Sequence, residues 1–302
     1  MNNKKKIYVA IMGGIGDQIF QFGFATYLKK KLNCNVYLDV SYYESKLNYN
    51  NFKFRLANLS KKNNLLLINN ISYINYSYLS YLRFVDLFKI NKIIPWIYNF
   101  FFKVPIKFFI YEYWKKKKKT ITKVNSYYLG YWHNIKYLRY QKKSINQNMI
   151  NINTNKPKIK RFIDKHINNK TVCLHIRGGD FANLKSHNLL DQEYYDLSIN
   201  FYKKKLHFPI FHVFTNDLKF SKKILSKHKR NFKFKFIKNL GLSDIEEFSL
   251  FSEYKFSIIA NSTFSLISTF LSVKRNVSTA PKIWLKGKKL EKEKQFSKLK
   301  FI

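Results

Sequence analysis

Residues 171–181 read TVCLHIRGGDF. Val172, Cys173, Leu174 and Ile176 are apolar or β-branched and predict a short buried strand. The run breaks at Gly178 and Gly179, where the backbone is free to turn. His175, Arg177 and Asp180 gather around that break, at a strand's carboxyl end. In open α/β sheets, ligands sit in the crevice outside those ends. An imidazole, a guanidinium and a carboxylate placed there suit an anionic ligand. An Arg–Asp pair that merely caps a loop is the plainer alternative, because structural ion pairs are common.

Downstream, the pattern alternates. Residues 191–205 predict a helix and 209–214 a strand that ends in the polar Thr215, Asn216 and Asp217. A helix over 218–227 and a strand over 232–237 follow. Ser243 opens a helix that runs to about Tyr254, with Glu246 at the capping-box position. Residues 256–260 read as a strand, 264–273 as an apolar helix, and 276–280 as the last strand. Strands alternating with helices imply a parallel, doubly wound sheet. Residues 286–302 read as a basic tail.

Upstream, 6–12 predicts a strand, Gly13 to Asp17 a glycine loop, 18–32 a helix, and 36–40 a second strand. Such loops bring backbone N–H groups and a helix N-terminus to a ligand. Gly14 and Gly16 match the first two glycines of a dinucleotide fingerprint, and Asp39 stands roughly where a ribose-binding acid belongs. Ile19 occupies the place of the third glycine. Residues 41–125 carry aromatic and Lys/Asn-rich runs without a clear repeat; the lysine run at 115–119 reads as solvated surface. Residues 127–140, YYLGYWHNIKYLRY, pack aromatics around Gly130, as either core or a sugar-binding platform. The polar stretch 141–170 marks the domain boundary. The expected organisation is a domain over 1–150, a second over 160–285, and the tail.

The 302 residues carry a net charge of +40, with 46% hydrophobic and 18% aromatic residues. Such a chain can build a sizeable core, so global disorder is excluded. The charge fits nucleic-acid binding, attachment to an anionic membrane surface, or a Lys/Asn/Ile-rich composition of the kind AT-rich coding sequence produces. The basic residues are spread over the whole length and form no recognisable reading helix, which argues against nucleic acid. Cys34 and Cys173 have no metal-type spacing and fit a reducing compartment; Cys173 reads as a buried thiol. The start resembles a signal peptide only superficially, since its apolar run is short and breaks at Gly13. Residues 90–111 are apolar, but Lys92, Lys103, Lys107, Pro95 and Pro105 interrupt them, so no spanning helix is expected. An interfacial Trp/Tyr/Phe/Lys surface remains open.

Asn261, Ser262 and Thr263 follow a strand and begin a helix. Hydroxyls and free N–H groups there suit a phosphate, with an ordinary N-cap as the alternative. Arg177 supplies a fork that grips phosphate bidentately. Glu247 could accept from a purine's N–H edge or face solvent. No convincing acidic metal cluster is present, so charge on a leaving diphosphate falls to Arg177 and the helix terminus.

Four stretches, in order, carry a resemblance to the bacterial α-1,2-fucosyltransferases: GGIGDQIFQFGFA (13–25), GYWHNIKY (130–137), HIRGGDF (175–181) and SLFSEYKFSIIANSTFS (249–265). The resemblance implies a GT-B fold, two Rossmann-like domains facing a cleft, with GDP-β-L-fucose in the C-terminal half. It implies inverting transfer to the 2-hydroxyl of a galactoside in a surface glycan, without cofactor or metal, in the cytoplasm or peripherally on the inner face of the membrane. By that carry-over Arg177 holds the β-phosphate, His175 and Glu247 approach guanine, Asn261, Ser262 and Thr263 meet the diphosphate, and Asp180 braces its loop. Gly14, Gly16 and Gln18 belong to the substrate-facing first loop, where Asp17 is a candidate base. Two positions depart from the pattern. Gly178 replaces the second Arg of the motif, and Asp17 stands where Asn is usual. The rival readings are a nicotinamide-dependent oxidoreductase using Gly14, Gly16 and Asp39, and a non-enzymatic basic binder of membrane or nucleic acid.

Overall fold

The structure, a computed structural model, describes residues 5–69, 108–111, 122–178, 189–285, 288–289 and 298–302. The chain forms two compact units, Met1–Asn148 and Met149–Ile302. The division falls between Asn148 and Met149, within residues 141–170. That stretch is not a bare linker, however. Residues 142–154 are helical with a π turn, and Pro157 opens a helix, as its missing N–H and fixed φ favour.

The N-terminal unit holds a five-stranded parallel sheet. Its strands are β1 (Lys6–Ala10), β2 (Asn35–Asp39), β3 (Leu66–Ile68), β4 (Phe108–Tyr111) and β5 (Ser126–Leu129), in spatial order β3-β2-β1-β5-β4. Helix α1 (Ile15–Leu32) links β1 to β2 and is buried almost all round, as a helix apolar on every face must be. It begins three residues earlier than the sequence suggests. Gly14 is its N-cap, so Gly16 and Asp17 belong to its first turn. Tyr127, Tyr128, Trp132 and Tyr137 are buried, and Trp132 stacks on Phe24 with centroids 4.0 Å apart. Core packing is therefore the main use of the aromatic segment. A short helix, α2 (Ala57–Lys62), precedes β3. The 115–119 lysine run and most of the apolar 90–111 segment lie outside the described residues.

The C-terminal unit begins with α3 (Pro157–His166) and holds a six-stranded parallel sheet. Its elements run β6 (Thr171–Ile176), α4 (Gln192–Leu206), β7 (Ile210–Thr215), α5 (Leu218–Ile224), β8 (Lys233–Phe236), α6 (Asp244–Ser252), β9 (Phe256–Ile258), α7 (Thr263–Leu271), β10 (Val277–Ala280), the small hairpin β11 (Ile283–Leu285) and β12 (Lys288–Lys289), and β13 (Leu299–Phe301). The spatial order is β13-β10-β9-β6-β7-β8. Counted along the sheet from β8, this is the 3-2-1-4-5-6 arrangement of doubly wound folds, whose order reverses between β6 and β9. Leu174, Ile176, Phe211 and Val213 share a core with Tyr194, Ile199 and Tyr202 of α4 and Ile224 of α5. On the opposite face His175 and Phe214 meet Phe251 of α6, and His212 meets Phe162 of α3. Alternation within each strand thus places helices on both faces.

Two buried tyrosine hydroxyls tie helix α4 to the sheet. The Tyr202 hydroxyl lies 2.9 Å from both Ser257 O and Val277 O, and Tyr194 donates to Ile259 O at 2.6 Å. Cys173 is fully buried, as its place in the apolar strand leads one to expect, and desolvation pushes its thiol up to about 11.

One expectation fails. The basic tail contains β13, which pairs in parallel with β10 through Ser278–Leu299, Thr279–Lys300 and Ala280–Phe301, so 276–280 is not the last strand. Lysines crowd this segment because an edge strand keeps one side in water, where charge discourages pairing with another chain. Ending the chain at residue 297 should therefore cost roughly 2 kcal/mol or more, a fall of about 4–8 °C in Tm. An unchanged thermal midpoint would return the segment to the status of a tail.

Candidate functional site

The order reversal brings two polar strand ends together. β6 and β9 are parallel neighbours with Leu174 beside Ile258, so His175 and Arg177 emerge next to the segment from Ala260 to Thr263. His175 is buried, and its Nδ1 lies 2.9 Å from Ser265 Oγ on α7. Desolvation, followed by the Arg177 charge, pulls its pKa down to about 3, so the imidazole is neutral at physiological pH. It ties the first strand-end motif to the helix that carries the second.

Arg177 follows β6 directly and is half-buried. Ser262 is the N-cap of α7 with extended backbone, yet its hydroxyl makes no capping bond to the helix. By contrast Asp191 caps α4, Asp217 caps α5, and Ser243 with Glu246 forms the expected capping box of α6. Thr263 opens the first turn of α7, where backbone N–H groups and the helix dipole favour an anion. Asn261 is buried, and its amide donates to Trp284 O at 3.2 Å, which fixes the turn before the helix. Glu247 lies on α6, and desolvation followed by Asp244 pushes its carboxyl up to about 7. Its neighbour Glu246 is held down to about 2, first by Lys156 and then by its bonds to Ser243. Asp180 lies outside the described residues.

Gly178 is fixed by close approach. Asn216, at the end of β7, accepts from Gly178 N at 3.0 Å and donates to Gly178 O at 3.2 Å. A Cβ on residue 178 would stand 2.9 Å from Phe220 Cδ1 and 3.0 Å from Asp217 Cβ. The departure from the family pattern is thus accommodated by its surroundings. Asn216 is a site-shaping residue that sequence reasoning left without a role; its only signal was its place at a strand end.

In the N-terminal unit, Gly14 and Gly16 form the start of α1, and Asp17 pairs with His133 at 2.9 Å. Gln18 is fully buried. Its amide donates to Lys53 O and Gly13 O and accepts from Arg55 N, so it braces the loop from within. Asp39, the acid the oxidoreductase reading needs, is fully buried and accepts from Ser41 N at 3.0 Å and the Tyr127 hydroxyl at 2.8 Å. Ile19 fills the core where a third glycine would stand. A ribose cannot take Asp39 without dismantling these contacts. Among the described residues, no group of three or more His, Cys, Asp or Glu could hold a metal, and no helix is long and apolar enough to cross a membrane.

Two parallel-sheet units, with polar strand-end residues gathered at a point of order reversal, define an α/β ligand-binding protein of Rossmann-like build. The sequence model of glycosyl transferase family 11 matches residues 6–300, and the chain belongs to that family. It is similar to an α-1,2-colitosyltransferase of Escherichia coli, with 27% identity over 94% of each chain. It is also similar to the O-antigen biosynthesis glycosyltransferase WbnK of Escherichia coli, 25% identical over 93% of this chain and 95% of that protein. A solved structure of the fucosyltransferase NodZ from Bradyrhizobium aligns with a TM-score of 0.48 at 10% identity, covering 89% of this chain and 94% of that one.

The Gly178 contacts yield a test. Gly178→Ala should cost about 1–3 kcal/mol by overpacking, and Gly178→Arg should lose stability without gaining rate. A Gly178→Arg protein as stable as wild type would show that the Phe220 and Asp217 contacts yield freely.

Proposed function

We propose that the chain is an inverting glycosyltransferase that moves L-fucose from GDP-β-L-fucose to the 2-hydroxyl of a galactoside in a bacterial surface glycan. The observation that carries this reading is the parallel pairing of β6 with β9, which Arg177 and the uncapped start of α7 respectively follow, in a chain that belongs to family 11 along nearly its whole length. Arg177 meets the leaving diphosphate with a charge-assisted fork. Ser262, Thr263 and the first N–H groups of α7 bind its other oxygens. Asn261 holds the turn that presents them. His175, kept neutral by burial, and Glu247 approach the guanine. A desolvated carboxyl is stabilised as the anion when N–H donors reach it, and a guanine edge supplies such donors. Asp180 braces the loop after β6. Gly14, Gly16 and Gln18 shape the loop that faces the acceptor, and Asp17 is the candidate for taking the acceptor's proton. Charge on the departing GDP is met by these groups without a divalent cation.

A second donor has its own support. The 27% identical relative bears the name of a colitosyltransferase, so GDP-colitose is the alternative to GDP-fucose in the same site.

Incubation with GDP-fucose and GDP-colitose against a panel of β-galactosides, with the product linkage read by NMR, tests the assignment. An α-1,2-linked product that still forms in EDTA is expected. Arg177→Ala should lower the rate about a hundredfold or more, and Arg177→Lys should restore little of it, lacking the bidentate fork. Wild-type turnover in a folded Arg177→Ala protein would make the motif structural. Activity abolished by EDTA and restored by manganese would overturn the metal-free account.

The basic surface supports a further part of this reading, peripheral attachment to the anionic inner face of the cell membrane. In the N-terminal unit Tyr27, Lys30, Lys31, Tyr137 and Tyr140 line a groove of about 370 Å³, and Lys30 sits 5.1 Å over the exposed Tyr140 ring. Tyrosine and lysine together suit a headgroup layer. Sedimentation with anionic vesicles should be strong at low salt and fade as screening grows; no binding at low salt would remove this element.

A further inference from the structure

Asp17 and His133 form a pair that the donor-side assignments do not use. Asp17 stands in the first turn of α1, just beyond β1, and His133 follows β5. β1 and β5 are parallel neighbours, with Val9 beside Tyr128, so both residues stand at the same end of the sheet. His133 Nε2 lies 2.9 Å from Asp17 Oδ1, with the side chains 25% and 20% exposed. That exposure leaves a small molecule access while limiting water. An ionised carboxylate only accepts hydrogen bonds, so in this contact Nε2 carries the proton.

The surrounding chain is arranged to make the pair. Trp132, just before His133, has a φ of 54°. This left-handed conformation is an outlier for a bulky residue and persists only where its surroundings enforce it. The stack on Phe24 supplies that enforcement, and the turn sends Trp132 into the core and His133 to Asp17. Gly13 has a φ of 78°, and a Cβ there would stand 2.9 Å from Asp17 Oδ2. Only glycine leaves that oxygen its space. Gln21 locks the two loops together, accepting from Met12 N at 2.9 Å and donating to Gly130 O at 3.2 Å. Rings flank the pair, with Tyr131 5.4 Å and Phe20 4.9 Å from the His133 ring. A carboxylate–imidazole pair edged by aromatic surface can both hold a sugar hydroxyl and take its proton.

We propose that Asp17 and His133 act as one proton-accepting pair for the acceptor hydroxyl, so that His133 is required for catalysis as much as Asp17. The inference rests on the sugar-transfer reading and adds His133 to it. In the step, the acceptor O–H bond breaks and its proton passes to the pair. The oxygen bonds to the anomeric carbon, and the bond from that carbon to the diphosphate breaks with its electrons leaving on GDP. The proton then passes to solvent.

The test compares Asp17→Asn, His133→Gln and the double variant in the full chain, by kcat, GDP affinity and thermal midpoint. Each single change should lower kcat about a hundredfold with GDP affinity and midpoint unchanged. The double variant should be no worse than about the poorer single, because the two act as a unit. Sodium formate should restore part of the turnover of Asp17→Ala, which no structural role would allow. If His133→Gln fails to fold, His133→Asn takes its place, read by the same kcat and thermal midpoint. Near-normal kcat in a folded single variant, losses that multiply, or no formate rescue would overturn the pair while leaving donor binding intact. A wild-type chain that binds no GDP and transfers no sugar would overturn the pair and the function together.

Discussion

The parallel pairing of β6 with β9 is the constraint on which the rest of the C-terminal unit depends. In a parallel sheet every strand ends at the same edge, so polar residues 80 or so positions apart in sequence can only meet if their strands are neighbours. Here they are, at the place in this sheet where the strand order reverses. The pairing sets His175 against α7, and the bond to Ser265 then fixes how the two strand ends face each other. Burial keeps that imidazole uncharged. Protonation would place an imidazolium beside Arg177, so the arrangement holds only because the low-dielectric site rejects the second charge.

The sequence revealed most of this unit, because its signals are local. The strands are short apolar runs closed by Gly, Asn or Asp, and the α6 start is a capping box that depends only on residues 243–246. The strand-end reading of His175, Arg177 and Asn261 to Thr263 follows from the same runs. The parts that were not legible depend on distant partners. The Asp17–His133 contact joins residues 116 positions apart, and nothing in either neighbourhood announces the other. Arg275 is similar. It reads as one more surface cation in a +40 chain, yet it is buried, donates to Phe251 O at 3.0 Å near the end of α6, and lies 5.5 Å over the Phe251 ring. There, with no carboxylate paired to it among the described residues, it meets the negative end of the helix dipole. β13 is not legible in the sequence because lysine-rich composition outweighs a three-residue apolar alternation, too short to register as a strand.

Gly13 and Gly178 show how small residues set both loops. One opens room for a carboxylate through a backbone turn that other residues resist, and the other admits the β7 loop to van der Waals distance. In the N-terminal unit the same economy appears in amides. Gln18 and Gln21 sit one helical turn apart on the buried α1 and connect three separate backbone segments, 12–13, 53–55 and 130. A buried amide in an otherwise apolar helix must find partners, and this was the overlooked sign that the first loop is held rigidly.

The central claim is that a guanine nucleotide binds where β6 and β9 end. Hydrogen–deuterium exchange on the full chain, with and without saturating GDP, tests it most directly, because backbone N–H groups at the start of α7 would be among the ligand's contacts. The account predicts slowed exchange over residues 175–178 and 262–266, with a smaller effect near Glu247 and none around Asp39. Protection centred on residues 13–18 and 39, with α7 unchanged, would contradict it.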